Sequence, residues 1–166
     1  MDLEHFLSPF KPPVTNLVDS LRYWTAQTPS ETAFYFSDGE SEEIRMTYAD
    51  FDRRARAVAA QLQSLGMAGE RVLLLHPPGL DFLAGFMGCL YAGATAIPAY
   101  PPRRNRYMGR LEAISDDAQA KAALTVADVA DRVNGMLSDA PSLRRAAWLA
   151  TDQIPDAAAD DWQPPT

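Results

Sequence analysis

RVLLLHPPGLDFLAGFMGCLYAGATAIPAYPPRR, residues Arg71 to Arg104, decides the fold. It opens on Val72-Leu73-Leu74-Leu75, a short unalternated apolar run of the kind that forms a strand buried on both faces. Pro77-Pro78-Gly79 follows. Proline pre-sets the first turn position and glycine takes the positive φ that a type II turn needs. Asp81 stands where a helix would start, its charge suited to the positive end of the helix dipole. Phe82, Phe86 and Leu90 recur at four-residue steps, with Leu83, Met87 and Tyr91 beside them. Ala92-Gly93 breaks the helix, and Thr95-Ala96-Ile97 reads as the next strand. This is a βαβ unit whose two strands lie parallel in a covered sheet.

No charge occurs from Phe82 to Pro102, and that length would suit a membrane span. Gly93 and Pro98 divide the run into a helix of about three turns and a strand, sizes typical of globular elements. The buried βα reading is therefore preferred, with the glycines letting the helix sit close against the sheet.

The chain has 166 residues, enough for one domain that buries roughly two-thirds of its unfolded surface. Its apolar and charged fractions are those of an ordinary soluble protein. A formal charge of −7 argues against a nucleic-acid role, which needs positive potential. The single cysteine, Cys89, has no intramolecular partner and no second cysteine at metal spacing. Asp2 and Glu4 interrupt any signal-peptide core, so a cytoplasmic location is expected.

Residues 1–14 carry Pro9, Pro12 and Pro13 and read as a flexible lead-in. Leu17, Leu21 and Trp24 form a helical face that Thr15 or Asn16 caps. Thr32–Ser37 is an aromatic-rich strand, Asp38-Gly39 a turn, and Ile44–Met46 a returning antiparallel strand, with Glu40, Glu42 and Glu43 at a solvated tip. Thr47-Tyr48-Ala49-Asp50 resembles a capping box. Behind it Phe51, Ala55, Val58, Ala59, Leu62 and Leu65 repeat at helical spacing until Gly66. Arg53, Arg54 and Arg56 fall mostly on the opposite face and read as solvated, with a partner-docking patch as the alternative.

After the central unit the pattern repeats. Tyr107, Leu111, Ile114 and Ala118 make a helical stripe, and Ala122–Leu124 a strand. Thr125–Asp128 again resembles a capping box, ahead of Val129, Val133 and Leu137. Pro141 ends that helical region, and Ala146–Leu149 is a last strand. The order βαβαβαβ predicts an α/β fold: a doubly wound, mostly parallel sheet with helices on both faces, plus a small N-terminal antiparallel hairpin. Residues 15–150 then form one α/β subdomain, and 151–166 an acidic, Pro-rich linker.

The catalytic motifs common to such folds are missing. Gly88–Thr95 mimics a phosphate-binding loop, but Ala94 replaces the lysine and the segment runs from helix into strand. No G-x-G-x-x-G and no G-x-S-x-G occurs. His76 and Tyr100 each follow a strand, where open α/β sheets bind ligands. They are substrate-pocket candidates against the plainer role of hydrogen bonding at a strand end. Arg103 heads the basic cluster Arg103, Arg104, Arg106 and Arg110, which suits an anion or phosphopantetheine contact as well as a solvated helix face. Asp116-Asp117 reads as a solvated helix end.

Four segments together carry a family resemblance: TYADFDRRARAVAAQLQSLG, ERVLLLHPPGLDFLAGFMGCLYAG, AIPAYPPRR and RLEAISDDAQAKAALT. They resemble the amino-terminal part of a fatty-acyl-AMP ligase, within the adenylate-forming superfamily of acyl-CoA synthetases, luciferases and peptide-synthetase adenylation domains. PPGLDF and PAYPP point to the acyl-AMP ligase branch. The likeness runs from about Thr15 to Trp162.

The resemblance implies an enzyme that joins ATP and a long-chain fatty acid into an acyl-adenylate with Mg²⁺ assisting. It then passes the acyl group to an acyl carrier protein, often for polyketide or lipopeptide synthesis. The family's phosphate loop, adenine motifs, metal-binding glutamate, ribose-binding aspartate and carboxy-terminal lysine belong to later segments. Lys11 and Lys121 stand in no suitable motif. No catalytic, cofactor-binding or metal-binding residue is therefore carried over, and this chain alone is expected to be inactive and to bind no cofactor tightly. A stand-alone α/β module binding an acyl chain or carrier protein is the alternative. Self-association through an uncovered sheet face is also expected.

Overall fold

The computed structural model describes residues 15–37, 39, 43–102 and 108–165. In chain order its elements are α1 (Leu17–Gln27), β1 (Thr32–Phe36), β2 (Ile44–Thr47), α2 (Tyr48–Ser64), β3 (Arg71–Leu74), α3 (Leu80–Ala92) and β4 (Thr95–Pro98). Then come α4 (Gly109–Ala118), β5 (Ala122–Thr125), α5 (Ala127–Asn134), α6 (Pro141–Arg145) and β6 (Ala147–Ala150). Short 3-10 turns cover Leu137–Asp139, Thr151–Gln153 and Asp156–Asp161. β1 and β2 form an antiparallel pair. The other four strands make one parallel sheet in the order β4-β3-β5-β6.

Alternation along the strands divides the core in two. Val72, Leu74, Ala122 and Leu124 turn toward α2, α3 and the end of the chain. Leu73, Leu75 and Ala123 turn the other way, onto Met108, Leu111, Val129, Val133 and Leu143 from the α4–α6 side. The four residues Val72–Leu75 are fully buried, as their unalternated apolar run demands. The sheet is thus covered on both faces along its two central strands. Against the expectation of an uncovered sheet face, the chain's own helices and C-terminal segment supply both layers there, while the edge strands β4 and β6 are less buried.

Several local readings hold. The Asn16 side chain accepts from the Asp19 N–H at 2.9 Å and caps α1. The Thr47 hydroxyl accepts from the Asp50 N–H at 3.1 Å and donates to the Asp50 carboxylate at 2.7 Å. Gly93 closes α3 in the left-handed region at φ 73, ψ 21. Among the described residues no helix is long and apolar enough to cross a membrane.

Others are corrected. Gly79 adopts φ 156, ψ −176, not the φ of about 80 and ψ near 0 of a type II turn. The buried side of α3 is made of Ala84, Gly85, Gly88, Cys89 and Ala92 with Met87 and Tyr91, while Phe82, Phe86 and Leu90 lie half-buried. Gly88 faces a helix, not the sheet: a Cβ there would lie 2.5 Å from Val58 Cγ1 of α2. Thr125 caps nothing. It is buried at the end of β5 and donates to the Leu75 carbonyl at 2.7 Å. The Ala127 N–H at the start of α5 is met by Asp152 instead, at 2.9 Å. Pro141 opens α6, where its missing N–H costs nothing. The carboxylate of Glu112 accepts the free N–H groups of Ser142 and Leu143 there, at 2.8 and 3.2 Å.

The largest correction concerns residues 151–165. Thr151, Ile154, Ala158, Ala159 and Trp162 are buried, so this stretch is packed and not a free linker. Irregular backbone leaves carbonyls unpaired, and α2 satisfies them. Arg54 donates to the carbonyls of Thr151 and Ile154, and Arg56 to that of Ala159 at 3.1 Å. The Trp162 indole N–H donates to the Tyr91 carbonyl at 2.9 Å. Arg54 and Arg56 are therefore no solvated face: the partner they hold is this chain's own end. The lead-in, Asp38, Glu40, Glu42, Tyr107 and the cluster members Arg103, Arg104 and Arg106 lie outside the described residues.

Candidate functional site

The sheet order puts β4 on one side of β3 and β5 and β6 on the other. The winding reverses at β3/β5, so the crevice beyond their carboxyl ends is where this architecture places ligands. His76 stands there, two residues past β3, and is only 4% exposed. Its Nε2 lies 2.9 Å from the Thr151 hydroxyl, which lies 3.1 Å from the Thr125 carbonyl. A carbonyl can only accept, so the single hydroxyl proton of Thr151 goes to Thr125. Both bonds then form only if His76 carries its proton on Nε2. Nδ1 is left as a buried bare acceptor with no partner among the described residues.

Burial pushes the His76 pKa from 6.5 down to about 4, against the opposing pull of the Asp152 carboxylate. His76 is neutral at pH 7. Asp81, in the first turn of α3, has its carboxyl raised by burial, against the lowering effect of Arg54 and with a further rise from Asp152. Gly85 makes room for the ring: a Cβ there would stand 2.8 Å from His76 Cε1. Among the described residues the crevice thus brings together a neutral imidazole, the carboxyl groups of Asp81 and Asp152 and one arginine already bound to backbone carbonyls. None of these described groups is a free cation of the kind that binds phosphate. Among the described residues no group of three or more His, Cys, Asp or Glu is placed to hold a metal ion.

The other candidates fall elsewhere. Tyr100 is 89% exposed and makes no hydrogen bond to His76 among the described residues. Arg103 is outside the described residues. Cys89 is buried in α3, and burial pushes its thiol up to about 12, which leaves it unreactive. Sequence reasoning missed Thr151 and Asp152, because their acidic, Pro-rich surroundings read as a linker. A signal was present in Ile154, Ala158, Ala159 and Trp162, apolar positions spaced to share one side of a turning segment.

A polar knot ties the far end of α3 to α2. The Tyr91 hydroxyl donates to Asp52 at 2.8 Å, and Arg56 Nε donates to the other Asp52 oxygen at 2.8 Å. Burial, followed by the charge of Asp52, raises the Tyr91 phenol far above its usual range, so it stays a donor. The knot fixes α3 to α2 through both oxygens of Asp52.

Comparison with known proteins places these features. A fatty acyl-adenylate ligase from L. pneumophila, solved with acyl adenylate and pyrophosphate, superposes with a TM-score of 0.83 at 32% identity. The match covers 93% of this chain and 26% of that one. The medium-chain-fatty-acid–[acyl-carrier-protein] ligase JamA of Moorena producens is 41% identical over 160 residues, 93% of this chain and 27% of JamA. The long-chain-fatty-acid–AMP ligase FadD32 of Mycolicibacterium smegmatis is 34% identical over 158 residues, 93% of this chain and 25% of FadD32. The chain spans about a quarter of the length of these curated relatives. The AMP-binding enzyme family matches residues 21–165, and with the packed segment Thr151–Trp162 inside that match, the chain belongs to the AMP-binding enzyme family.

Proposed function

We propose that this chain is the amino-terminal portion of a fatty-acyl-AMP ligase, with residues 15–150 forming an α/β subdomain of its adenylation domain. The observation that supports this reading most is the 41% identity to JamA, spread over nearly the whole chain and confined to about a quarter of JamA. The whole enzyme binds ATP with Mg²⁺ and activates a fatty acid, whose carboxylate attacks the α-phosphorus and releases pyrophosphate. Cations that neutralise phosphate charge carry most of the rate. The acyl group then passes to an acyl carrier protein.

The role of this portion is to build. Its sheet, its helix α3 and the strapped segment 151–165 form a rigid body on which catalytic elements are mounted. ATP and Mg²⁺ are held mainly by later parts of the enzyme.

The test compares the 166-residue chain with a chain extended by the downstream coding sequence. Each is incubated with ATP, Mg²⁺ and a fatty acid, and acyl-adenylate is measured by mass spectrometry. The extended chain forms acyl-adenylate and the short chain forms none. Turnover by the short chain, or an extended chain that ignores fatty acids, overturns the reading.

A further inference from the structure

Between α1, α2 and the end of the chain lies a cleft of about 410 Å³, which His76 does not line. Arg22, Thr25, Asp52, Arg56, Asp160 and Trp162 line it. The two arginines in it are held in unusual ways. The Arg22 guanidinium sits over the Trp162 indole, 5.1 Å from the ring centre, and forms no ion pair among the described residues. Stacking on an aromatic face holds a guanidinium flat and leaves its edge donors free. Arg56 spends Nε on Asp52 and Nη1 on the Ala159 carbonyl, leaving Nη2 without a protein partner among the described residues. Arg53, Arg54, Arg71 and Arg132 differ from Arg22 in that each reaches a carboxylate.

The cleft holds two arginines and two aspartates, unevenly paired. Asp52 is engaged by Arg56 and by the Tyr91 hydroxyl. Arg22 from α1 and Arg56 from α2 both line the cleft, and both act electrostatically on that phenol. Asp160 lines the cleft without an ion pair to either arginine among the described residues. The donors left over among the described residues are the edge of Arg22, stacked on Trp162, and Nη2 of Arg56, whose other donors are anchored.

We propose that this cleft binds the oxyanion of a small organic ligand, a phosphate monoester or a carboxylate, between Arg22 and Arg56. A guanidinium edge matches either group with paired N–H donors. Asp160 accepts a hydroxyl or ammonium proton carried next to the anion. The size lies at the small end of ligand pockets, which run from about 300 to 1,000 Å³. The inference does not rest on the proposed function, and its failure would leave that function standing.

The experiment titrates the 166-residue chain at low ionic strength with sodium phosphate and, separately, with sodium acetate. Binding is followed by the NMR shift of the Trp162 indole N–H and by calorimetry. Saturable binding that Arg22→Gln weakens about tenfold or more, and that Arg53→Gln leaves unchanged, supports the proposal. Tighter binding of phosphate assigns the site to phosphate esters, and tighter binding of acetate assigns it to carboxylates. Absence of saturable binding of both ions, or binding that Arg22→Gln does not weaken, overturns it. Arg22 is exposed, so its replacement spares the fold, and the unchanged melting temperature of Arg22→Gln verifies this.

Discussion

The two faces of the parallel sheet are built from the same strands by different means. On the α2/α3 face, small residues let backbones meet closely, as at Gly88 against Val58. Polar groups then fasten that layer across about a hundred residues of sequence, as Arg54 does with Thr151 and Ile154. On the α4–α6 face, Val129, Val133 and Leu143 cover Leu73 and Leu75 with ordinary branched side chains. The first face is precise and tied to the end of the chain. The second is an apolar cover. A strand buried on both sides needs only to exclude water, and it is indifferent to which solution supplies each layer.

Removing Trp162 is the hardest blow to the first face. Trp162→Ala costs about 3–5 kcal/mol, because the indole is buried and bonds the Tyr91 carbonyl. Chemical denaturation measures it. A change within about 0.5 kcal/mol, as at an ordinary surface position, would return the segment to the status of a linker.

Acid comes next. His76 takes up its proton near pH 6.5 when unfolded and only near 4 when folded. The unfolded state therefore binds more protons in that window, and stability falls as pH drops through it. The loss is on the order of 3 kcal/mol. Asp81 works with the opposite sign: its raised carboxyl lets the folded state take up a proton first, which offsets part of the loss at the acid end. Urea midpoints at pH 7, 5.5 and 4 measure the slope, and His76→Gln flattens it. An equal slope in the variant would assign it to other groups.

Glycines compare the faces directly. Gly88→Ala overpacks the α2/α3 contact and costs about 1–3 kcal/mol. Gly135, at the end of α5 with φ −71 and nothing within 4 Å of an added Cβ, gains about 0.4–1 kcal/mol as alanine. Thermal melts of the two variants shift in opposite directions. Matching shifts would mean that both faces are packed alike.

The smallest effect lies where the two faces meet. Asp152→Ala removes the acceptor for the Ala127 N–H and costs about 1 kcal/mol. It also removes the charge that raises the His76 pKa, so the histidine titrates at still lower pH. A histidine NMR titration follows that shift, and an unmoved His76 would show that Asp152 does not reach it.

Legibility from sequence followed the range of the interactions. Caps such as Asn16 and Thr47, the stop at Gly93 and the apolar run at Val72 depend on residues within a few positions, and they were readable. The Thr125 cap failed because the same hydroxyl had a better use at Leu75, fifty residues away. The stripe Phe82, Phe86 and Leu90 was periodic but half-buried, since close packing against α2 selected the smaller residues beside it.

By itself the amino-acid order determined the βαβαβαβ succession, the parallel sheet and the family likeness. All three are written in periodicity and local motifs. Tertiary structure alone decided that residues 151–165 close the core, that Arg54 and Arg56 fasten them, and that His76 is neutral with a bare Nδ1. Those outcomes depend on groups far apart in sequence meeting where water is excluded, and composition carries no record of which distant partner a donor will find.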